Sequence, residues 1–399
     1  MNKKFIVLVT ILMLLLLSGT VMSAKYSVVT KVIDGEGEIE LSPDKRLYDE
    51  GDEVLITAKP ESNFKGWSYD LEGISSTKKI IVNKNMMIGA RFAVDPVKES
   101  LNKKIKYIND IRIFTLFSFM NYTGYDDENR VFSETRKAVR SELEEMNLDL
   151  KDNNYFNNKG VRGYYYVHAI KHLGNPPDFE VVSDGLPSYG GLNKLHDLPE
   201  HLEEFYQKAN IKKLYNDYDS TYQKKLNEYE SQVTDVLLEV NNFLRIKEDQ
   251  ISNLYINTNL LDSHSRGYGA GNVDRFHKAP MIITGPSNGP NMQNIVHEYL
   301  HGIITPINNQ LKAEINDLNY LEDNVPKGSQ ADSYNSWFSI VDESIIRAIT
   351  ARFSGKYQEH GFILGGYFRE RFDEFNDFDG SLKGFIKKLL QEYEDYNNL

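Results

Sequence analysis

The chain of 399 residues contains no cysteine, and no long apolar run follows its first 24 residues. Without cysteine the protein can form neither a disulfide nor a lipid anchor of the lipoprotein type. No later apolar run approaches the roughly 20 residues that a membrane-spanning helix needs. The sequence also lacks a basic excess, because 46 Lys and Arg stand against 58 Asp and Glu. Such an acidic chain is a poor candidate for binding nucleic acid or anionic membranes, so we expect neither partner.

The first 24 residues have the layout of a secretory signal peptide. Lys3 and Lys4 precede an apolar run from Phe5 to Leu17, and small residues follow up to Ala24. This order is typical of exported proteins, and an uncleaved membrane anchor is the alternative. Cleavage after Ala24 would remove the two lysines and change the net charge from −12 to −14. We therefore expect a protein that is secreted or held at the cell surface, with no stable membrane insertion after cleavage.

Residues 25–96 are predicted to form a separate all-β module. Short segments rich in β-branched residues alternate with Gly, Asp, Asn and Pro, which is the pattern of strands and turns. These segments are residues 26–33, 37–42, 53–58, 79–82 and 87–92. Trp67 is close to Phe64 in the sequence, so we expect it to pack in a small core rather than to stack on a ligand. Asp95 and Pro96 mark the predicted linker.

This module resembles the divergent internalin-type B-repeat of bacterial surface proteins. The resemblance is carried by residues 48–60, by residues 64–68 around Trp67, and by the closing residues 90–92. It spans the whole module. It implies a spacer or an adhesive unit, whose partner would be a ligand at the cell surface.

His297, Glu298 and His301 form an H-E-x-x-H motif. On an α-helix, residues i and i+4 lie one turn apart on the same face, so both imidazoles can bind one Zn²⁺ with Glu298 beside it. Residues 279–285 predict a short buried strand, a turn follows, and apolar residues from Met292 onward recur at helical spacing. We expect one short, half-buried helix that Pro306 does not continue. The alternative is a pair of ordinary surface or core histidines.

A catalytic zinc site usually has three protein ligands and one open position, so a third ligand must come from elsewhere in the chain. The metzincin pattern is excluded because Ile304 and Ile307 stand where its glycine and third histidine would be. We expect a carboxylate, and Glu343 is preferred because segment 336–353 is otherwise apolar and helical, where an unpaired carboxylate is costly. Pairing of Glu343 with Arg347 at i+4 is the alternative. The fallback ligands are Asp342 and Glu314.

The motif predicts hydrolysis by activated water. A zinc ion in such a site lowers the pKa of water to about 7 and polarises a carbonyl group. Glu298 is next to a ligand without being one, so it can take the proton from the attacking water and deliver it to the leaving amine. Residues 254–260 predict another strand, followed by a polar, glycine-rich loop. This loop offers three oxyanion donors without favouring any of them: His264, Arg266 and Tyr268.

From residue 97 the chain reads as mainly helical, so the expected fold class is α+β: a small all-β module, then a zincin-like metallopeptidase domain over residues 97–399. Apolar spacing predicts a helix over residues 132–146 and another that starts at Leu198 and continues to about Leu244. His168 and His172 repeat the i, i+4 spacing without the glutamate. A second metal site is disfavoured there, because no third ligand is evident nearby.

Three pieces of this region, residues 198–206, 297–306 and 343–348, together resemble a bacterial family of exported, zincin-like proteins that carries only a domain-of-unknown-function label. The similarity covers most of residues 100–355. The family often has Asn-Pro where this chain has Thr305-Pro306, a difference that we expect to leave the metal site intact. The resemblance implies zinc ligands and a general base: His297, His301 and Glu343 as ligands, and Glu298 as base.

We therefore expect a secreted zinc peptidase that acts on a peptide or protein substrate. A non-catalytic surface-binding protein, in which the motif is a relic, is the alternative. The intact motif favours the peptidase, because a relic site is free to lose any of its residues. The sequence does not separate an endopeptidase from an aminopeptidase, or a peptide substrate from a cell-wall cross-link.

Overall fold

The computed structural model describes residues 24–125, 132–182, 185–264, 266–269, 273–355 and 359–397. The predicted signal peptide therefore lies, except for Ala24, outside the described residues. The chain divides into two compact units, with the boundary between Pro96 and Val97. The first unit is built from strands and the second is mainly helical, so the fold class is α+β.

The first unit contains two three-stranded sheets, with strand orders β2-β8-β6 and β3-β5-β7, and β1 pairs with β4. Its strands are β1 Lys25–Tyr26, β2 Val28–Asp34, β3 Glu38–Ser42, β4 Tyr48–Asp49, β5 Asp52–Lys59, β6 Phe64–Tyr69, β7 Thr77–Val82 and β8 Met86–Phe92. In β5, Val54, Ile56 and Ala58 are buried while Leu55 is exposed. This period of two places one face of the sheet on the core.

Trp67 lies in that core, as predicted. Its ring centroid is 4.9 Å from that of Phe64, and its indole N–H donates a hydrogen bond to the carbonyl oxygen of Ser75 at 2.7 Å. The sequence pattern did not reveal the surrounding strand β6. The strand has an irregular register between Phe64 and Gly66, and Gly66 has a φ of 153°. Residues 64–69 also include no β-branched residue, so this strand lacks the enrichment on which the prediction depended.

The second unit has a mixed sheet with helices on both faces. Its strands are β9 Ile105–Ile108, β10 Leu254–Thr258, β11 Gly267–Tyr268, β12 Val273–Asp274 and β13 Ala279–Thr284. Strands β9, β10 and β13 are parallel, whereas β11 and β12 both pair antiparallel with β13. Ile256 and Ile282 face one core, and Met281 and Ile283 face the other. The sheet thus separates two hydrophobic cores.

The helices of this unit, numbered along the described chain, are α1 Pro96–Lys104, α2 Ile111–Tyr122, α3 Glu134–Glu145, α4 Tyr155–Lys159, α5 Gly163–Ile170, α6 Leu198–Lys208, α7 Ile211–Asp217, α8 Asp219–Leu244, α9 Met292–Asn309, α10 Lys312–Asp317, α11 Trp337–Ser354, α12 Gly365–Arg371 and α13 Leu382–Asn397. The helix predicted over residues 132–146 corresponds to α3. None of the helices in the described ranges has both the length and the hydropathy of a membrane span.

The single helix predicted from Leu198 to about Leu244 is wrong in its continuity, because three helices occupy this stretch. Asn210 has a left-handed φ of 46° between α6 and α7, a conformation that asparagine tolerates better than most residues. Tyr218 then caps both α7 and α8. Apolar spacing continues through both breaks, so periodicity alone could not locate them.

Candidate metal centre

Helix α9 carries the H-E-x-x-H motif and is held between the sheet and two neighbouring helices. The Asn291 side chain caps its start by accepting a hydrogen bond from the Asn294 backbone at 3.2 Å. Its apolar stripe, which includes Ile295, Val296 and Leu300, is buried in the same core as Ile256 of β10. The Tyr299 hydroxyl exchanges hydrogen bonds of 2.9 and 3.0 Å with the buried Asn241 side chain of α8. The opposite face therefore carries the residues of the candidate metal site.

The prediction that Pro306 does not continue this helix is wrong, because α9 extends through it to Asn309. A proline inside a helix has no N–H for the carbonyl of the residue four positions earlier, which here is Gly302. Both Pro306 and Gly302 are exposed. Water can therefore reach the Gly302 carbonyl, which reduces the cost of the missing hydrogen bond.

Helix α11 brings Glu343 to the two histidines. The carboxylate oxygens Oε1 and Oε2 lie 3.3 Å from His297 Nε2 and 3.6 Å from His301 Nε2, respectively. Candidate ligand atoms of all three residues lie within 4.8 Å of one another. Zinc bonds to nitrogen and oxygen are roughly 2.0–2.2 Å, so neighbouring ligands of a tetrahedral ion are separated by about 3.3–3.6 Å. The two separations between the histidine nitrogens and the Glu343 oxygens therefore fall in the range that a zinc ion requires.

The state of His297 suits a ligand. Burial lowers the pKa of His297 to about 4, and the charges of His301 and Arg347 add to this effect while the Glu343 charge opposes it. The imidazole is consequently neutral at pH 7 and keeps a lone pair on one ring nitrogen. Metal binding requires this neutral form.

Glu343 also pairs with Arg347, so the alternative raised for this residue coexists with its place in the cluster. Arg347 Nε donates to Glu343 Oε1 at 2.8 Å, and the guanidinium lies over the Phe362 ring at 4.4 Å. The Glu343 side chain is almost fully buried. Tyr334 lies beside the same pair, and burial together with the Glu343 charge raises the pKa of its hydroxyl. These contacts fix the orientation of the carboxylate.

Asp342, the first fallback ligand, lies behind His301. It accepts hydrogen bonds from Thr305 Oγ1 at 2.8 Å and Asn308 Nδ2 at 2.7 Å. His301 Nδ1 is 3.4 Å from the Thr305 hydroxyl and 3.8 Å from Asp342. Burial raises the pKa of Asp342, although the two hydrogen bonds oppose the rise. Because Thr305 already donates to Asp342, its oxygen can accept a hydrogen bond from His301 Nδ1, and Nε2 of the same ring lies on the side of Glu343. Second-layer carboxylates orient histidine ligands in this way in zinc sites.

Glu314, the other fallback, is not part of this cluster. It belongs to α10 and pairs with Lys387 of α13 at 2.7 Å. The Lys387 hydrogen bond lowers the pKa of Glu314, which keeps it ionised in a surface ion pair.

Glu298 lies against the edge of the sheet where two glycines alternate with Tyr268. A Cβ atom at Gly267 would overlap with the Asn294 side chain, and a Cβ atom at Gly269 would overlap with the Glu298 carboxylate. Asn294 and Glu298 are one helical turn apart on α9, and Gly267 and Gly269 are two residues apart on the edge. The Gly-Tyr-Gly sequence therefore allows the motif helix to approach the sheet edge closely.

Lys171 supports this edge, a role that the sequence pattern did not reveal. It directly follows α5, is buried, and donates from Nζ to the Gly269 carbonyl oxygen. Burial lowers the pKa of Lys171 to about 8, while the negative charges of Glu298 and Asp274 oppose this shift. A cation is thus held close to the predicted general base.

Tyr268, one of the three oxyanion donors considered, points away from the motif helix. It is buried in the core on the other face of the sheet, with its ring centroid 6.0 Å from that of Phe117. Its hydroxyl lies near Gly163 of α5. His264 is exposed and Arg266 is half-buried in the loop before β11. Strand alternation thus assigns Tyr268 a packing role.

A cleft of about 310 Å³ adjoins the candidate metal site through His301. Glu298 and His301 line its inner end, and Gly302 and Ile303 of α9 form one wall. The opposite wall comes from the start of β10 and from β13, including Leu254 and Pro280. The size lies at the small end of the range of ligand sites, roughly 300–1,000 Å³.

Two other clusters in the described residues resemble sites but do not provide a free ligand set. Asp110, Asp274 and His277 converge, yet Arg112 Nη2 already lies 2.5 Å from Asp110 and 2.9 Å from Asp274. This is a buried ion-pair network. The rings of His168 and His172 lie 5.7 Å apart. Neither histidine belongs to a group of three possible metal ligands within the described residues.

Comparison with known proteins finds matches to two parts of the chain. Residues 27–96 match the divergent InlB B-repeat domain, so the resemblance drawn from the sequence is confirmed and the first unit is a repeat of that type. Residues 282–398 match a family described as a domain of unknown function, DUF4932. That match contains both α9 and α11, but it does not reach the piece at residues 198–206. No curated protein and no solved structure matches the chain.

Proposed function

We propose that the protein is an exported zinc-dependent peptidase of the zincin-like, H-E-x-x-H type. The observation that carries this proposal is the convergence of His297, His301 and Glu343 with separations suited to a tetrahedral ion. Asp342 and Arg347 contact the proposed ligands, Glu298 lies next to them, and a cleft adjoins the site. Export rests on the composition of the first 24 residues.

Each residue of the site has a distinct role in this proposal. His297, His301 and Glu343 would hold the zinc ion, which when bound acts as a Lewis acid and makes water acidic. Glu298 takes the proton from the attacking water and delivers it to the leaving amine as the peptide bond breaks. Gly269 and Lys171 hold the edge against which the Glu298 carboxylate rests. The pairs Arg347–Glu343 and Asp342–Thr305 keep the ligands in position.

The sheet edge suits an extended substrate. Strands β11 and β12 run antiparallel to β13 along the side of the sheet next to α9. A peptide that adds to such an edge is held by main-chain hydrogen bonds that do not depend on its sequence. We infer that an extended substrate would lie along this edge with its scissile bond beside Glu298, and that it would use main-chain groups other than the Gly269 carbonyl, which already accepts from Lys171.

The Glu298→Gln variant tests the proposal. An amide has nearly the same volume but cannot take up the proton, so hydrolysis should fall by roughly 10²-fold or more while folding and zinc content stay unchanged. Cleavage of a peptide library should be followed for the wild type, for this variant and for the surface control Glu314→Gln, before and after chelation. Equal rates for wild type and Glu298→Gln would show that the activity comes from elsewhere.

A non-catalytic surface-binding role is supported by one observation, the B-repeat over residues 27–96. In that case the metal site would be a relic, and the β module would bind a cell-surface ligand. Zinc bound at full occupancy without any chelator-sensitive hydrolysis would favour this role. The intact general base and the adjacent cleft favour the peptidase.

A further inference from the structure

We propose that the cleft beside the metal cluster is a side-chain pocket that selects a bulky, uncharged apolar residue next to the scissile bond of a peptide. This inference rests on the proposed peptidase function and names its substrate class. The cleft is continuous with the candidate catalytic centre, because Glu298 and His301 are part of its wall. A side chain that occupies it can therefore belong to a residue at the reacting bond.

The lining favours an apolar occupant. Ile251, Leu254 and Tyr299 present buried apolar surface, and the half-buried Pro280 and Ile303 complete the walls. Transfer of a side chain of the size of leucine or phenylalanine from water into such surroundings is favourable. The exposed polar residues at the mouth are Gln250, Ser252 and Asn253, and none of these three carries a charge.

The charged groups disfavour an acidic occupant. The described residues that line the cleft include two carboxyl groups, those of Glu298 and Asp342, and no lysine or arginine. An aspartate or glutamate side chain in the pocket would lie beside the Glu298 carboxylate and would find no lysine or arginine among the described lining residues.

Gly302 determines how much room the pocket has. It lies on α9 one position after His301, and a Cβ atom there would have no neighbour within 4 Å. A larger side chain at this position would grow into the cleft without backbone strain. Gly366 of α12 also has no neighbour within 4 Å of an added Cβ atom, and it does not line the cleft. The two glycines therefore form a matched pair of positions.

The test uses the full-length, zinc-loaded protein and short alanine-rich peptides with blocked ends, each carrying one guest residue: Phe, Leu, Ala or Asp. Cleavage rates are measured with the wild type, and binding is measured with Glu298→Gln, which separates recognition from chemistry. Phe and Leu peptides should bind and be cleaved roughly tenfold or more better than the Ala peptide, with the Asp peptide poorest. Gly302→Leu should abolish this preference, whereas Gly366→Leu should retain it.

The outcomes separate the two proposals. Cleavage that needs Glu298 but shows no preference for Phe or Leu, or a preference that Gly302→Leu leaves unchanged, would overturn the pocket assignment alone. Binding with the expected preference but without any hydrolysis by the wild type would support the pocket and contradict the peptidase. If the peptides show no preference in binding and none in cleavage, the pocket assignment is overturned, whatever the metal content of the protein.

Discussion

Replacing three carboxylates one at a time should separate a metal ligand from a residue that positions a ligand. Glu343→Gln removes a charged donor from the three-residue set. Zinc sites with four ligands bind with apparent free energies of about 10–16 kcal/mol, so one ligand contributes roughly 3–4 kcal/mol, or about 10²–10³-fold in affinity. Asp342→Asn leaves the donor set intact but weakens the contacts behind His301. Loss of such a second-layer partner typically costs about 10–100-fold.

Glu314→Gln is the matched control, because it removes a carboxylate that pairs with Lys387 at the surface. It should leave zinc affinity unchanged. The affinity of each variant is measured by competition with a chromophoric chelator at pH 7, where His297 is neutral. Thermal unfolding of the metal-free proteins shows whether each variant is folded, which matters most for Glu343→Gln because Arg347 loses a charged partner.

The order of the affinities decides the assignment. We expect the largest loss for Glu343→Gln, an intermediate loss for Asp342→Asn and none for Glu314→Gln. A folded Glu343→Gln variant that binds zinc as tightly as the wild type would refute Glu343 as the third ligand. If Asp342→Asn were the weaker binder of the two, the roles given to these adjacent residues would have to be exchanged.

Three further predictions concern other parts of the chain. Gly269→Ala should fold and bind zinc, but its rate of peptide hydrolysis should fall by roughly tenfold or more, because the added methyl displaces the Glu298 carboxylate. The control Gly289→Ala, where an added Cβ atom has its nearest neighbour at 3.9 Å, should hydrolyse peptides at the wild-type rate. Burial lowers the pKa of His168 from 6.5 to about 4, so the unfolded chain takes up the proton first and stability is lost as the pH falls from 6.5 towards 4. His168→Asn should reduce this loss by roughly 1–3 kcal/mol in urea unfolding, and an unchanged pH dependence would contradict the assignment. A shortened chain that starts at Asp95 should fold, bind zinc and cleave small peptides; a zinc-free or unfolded product would show that the B-repeat is part of the same folding unit.

Local patterns in the sequence predicted the parts of the fold that depend on neighbouring residues. Enrichment in β-branched residues between turn-forming residues revealed five strands of the first unit, and helical spacing predicted both the motif helix and the helix around Glu343. The i, i+4 spacing of His297 and His301 requires only one helical turn to bring the two rings together. The sequence pattern failed at β6, which has no β-branched residue, and at α9, which continues through Pro306.

Tertiary structure decided what depends on residues far apart in the chain. Glu343 and Asp342 are adjacent in sequence, and only the packing of α11 on α9 shows that Glu343 faces both histidines while Asp342 lies behind His301. Lys171 precedes Gly269 by almost a hundred residues, and their contact exists because α5 and β11 meet at the same side of the sheet. The cleft likewise combines walls from α9, β10 and β13. Spacing along the chain can specify the chemistry of one helix, but the surroundings of that helix arise from long-range packing, which leaves no local periodic signal in the sequence.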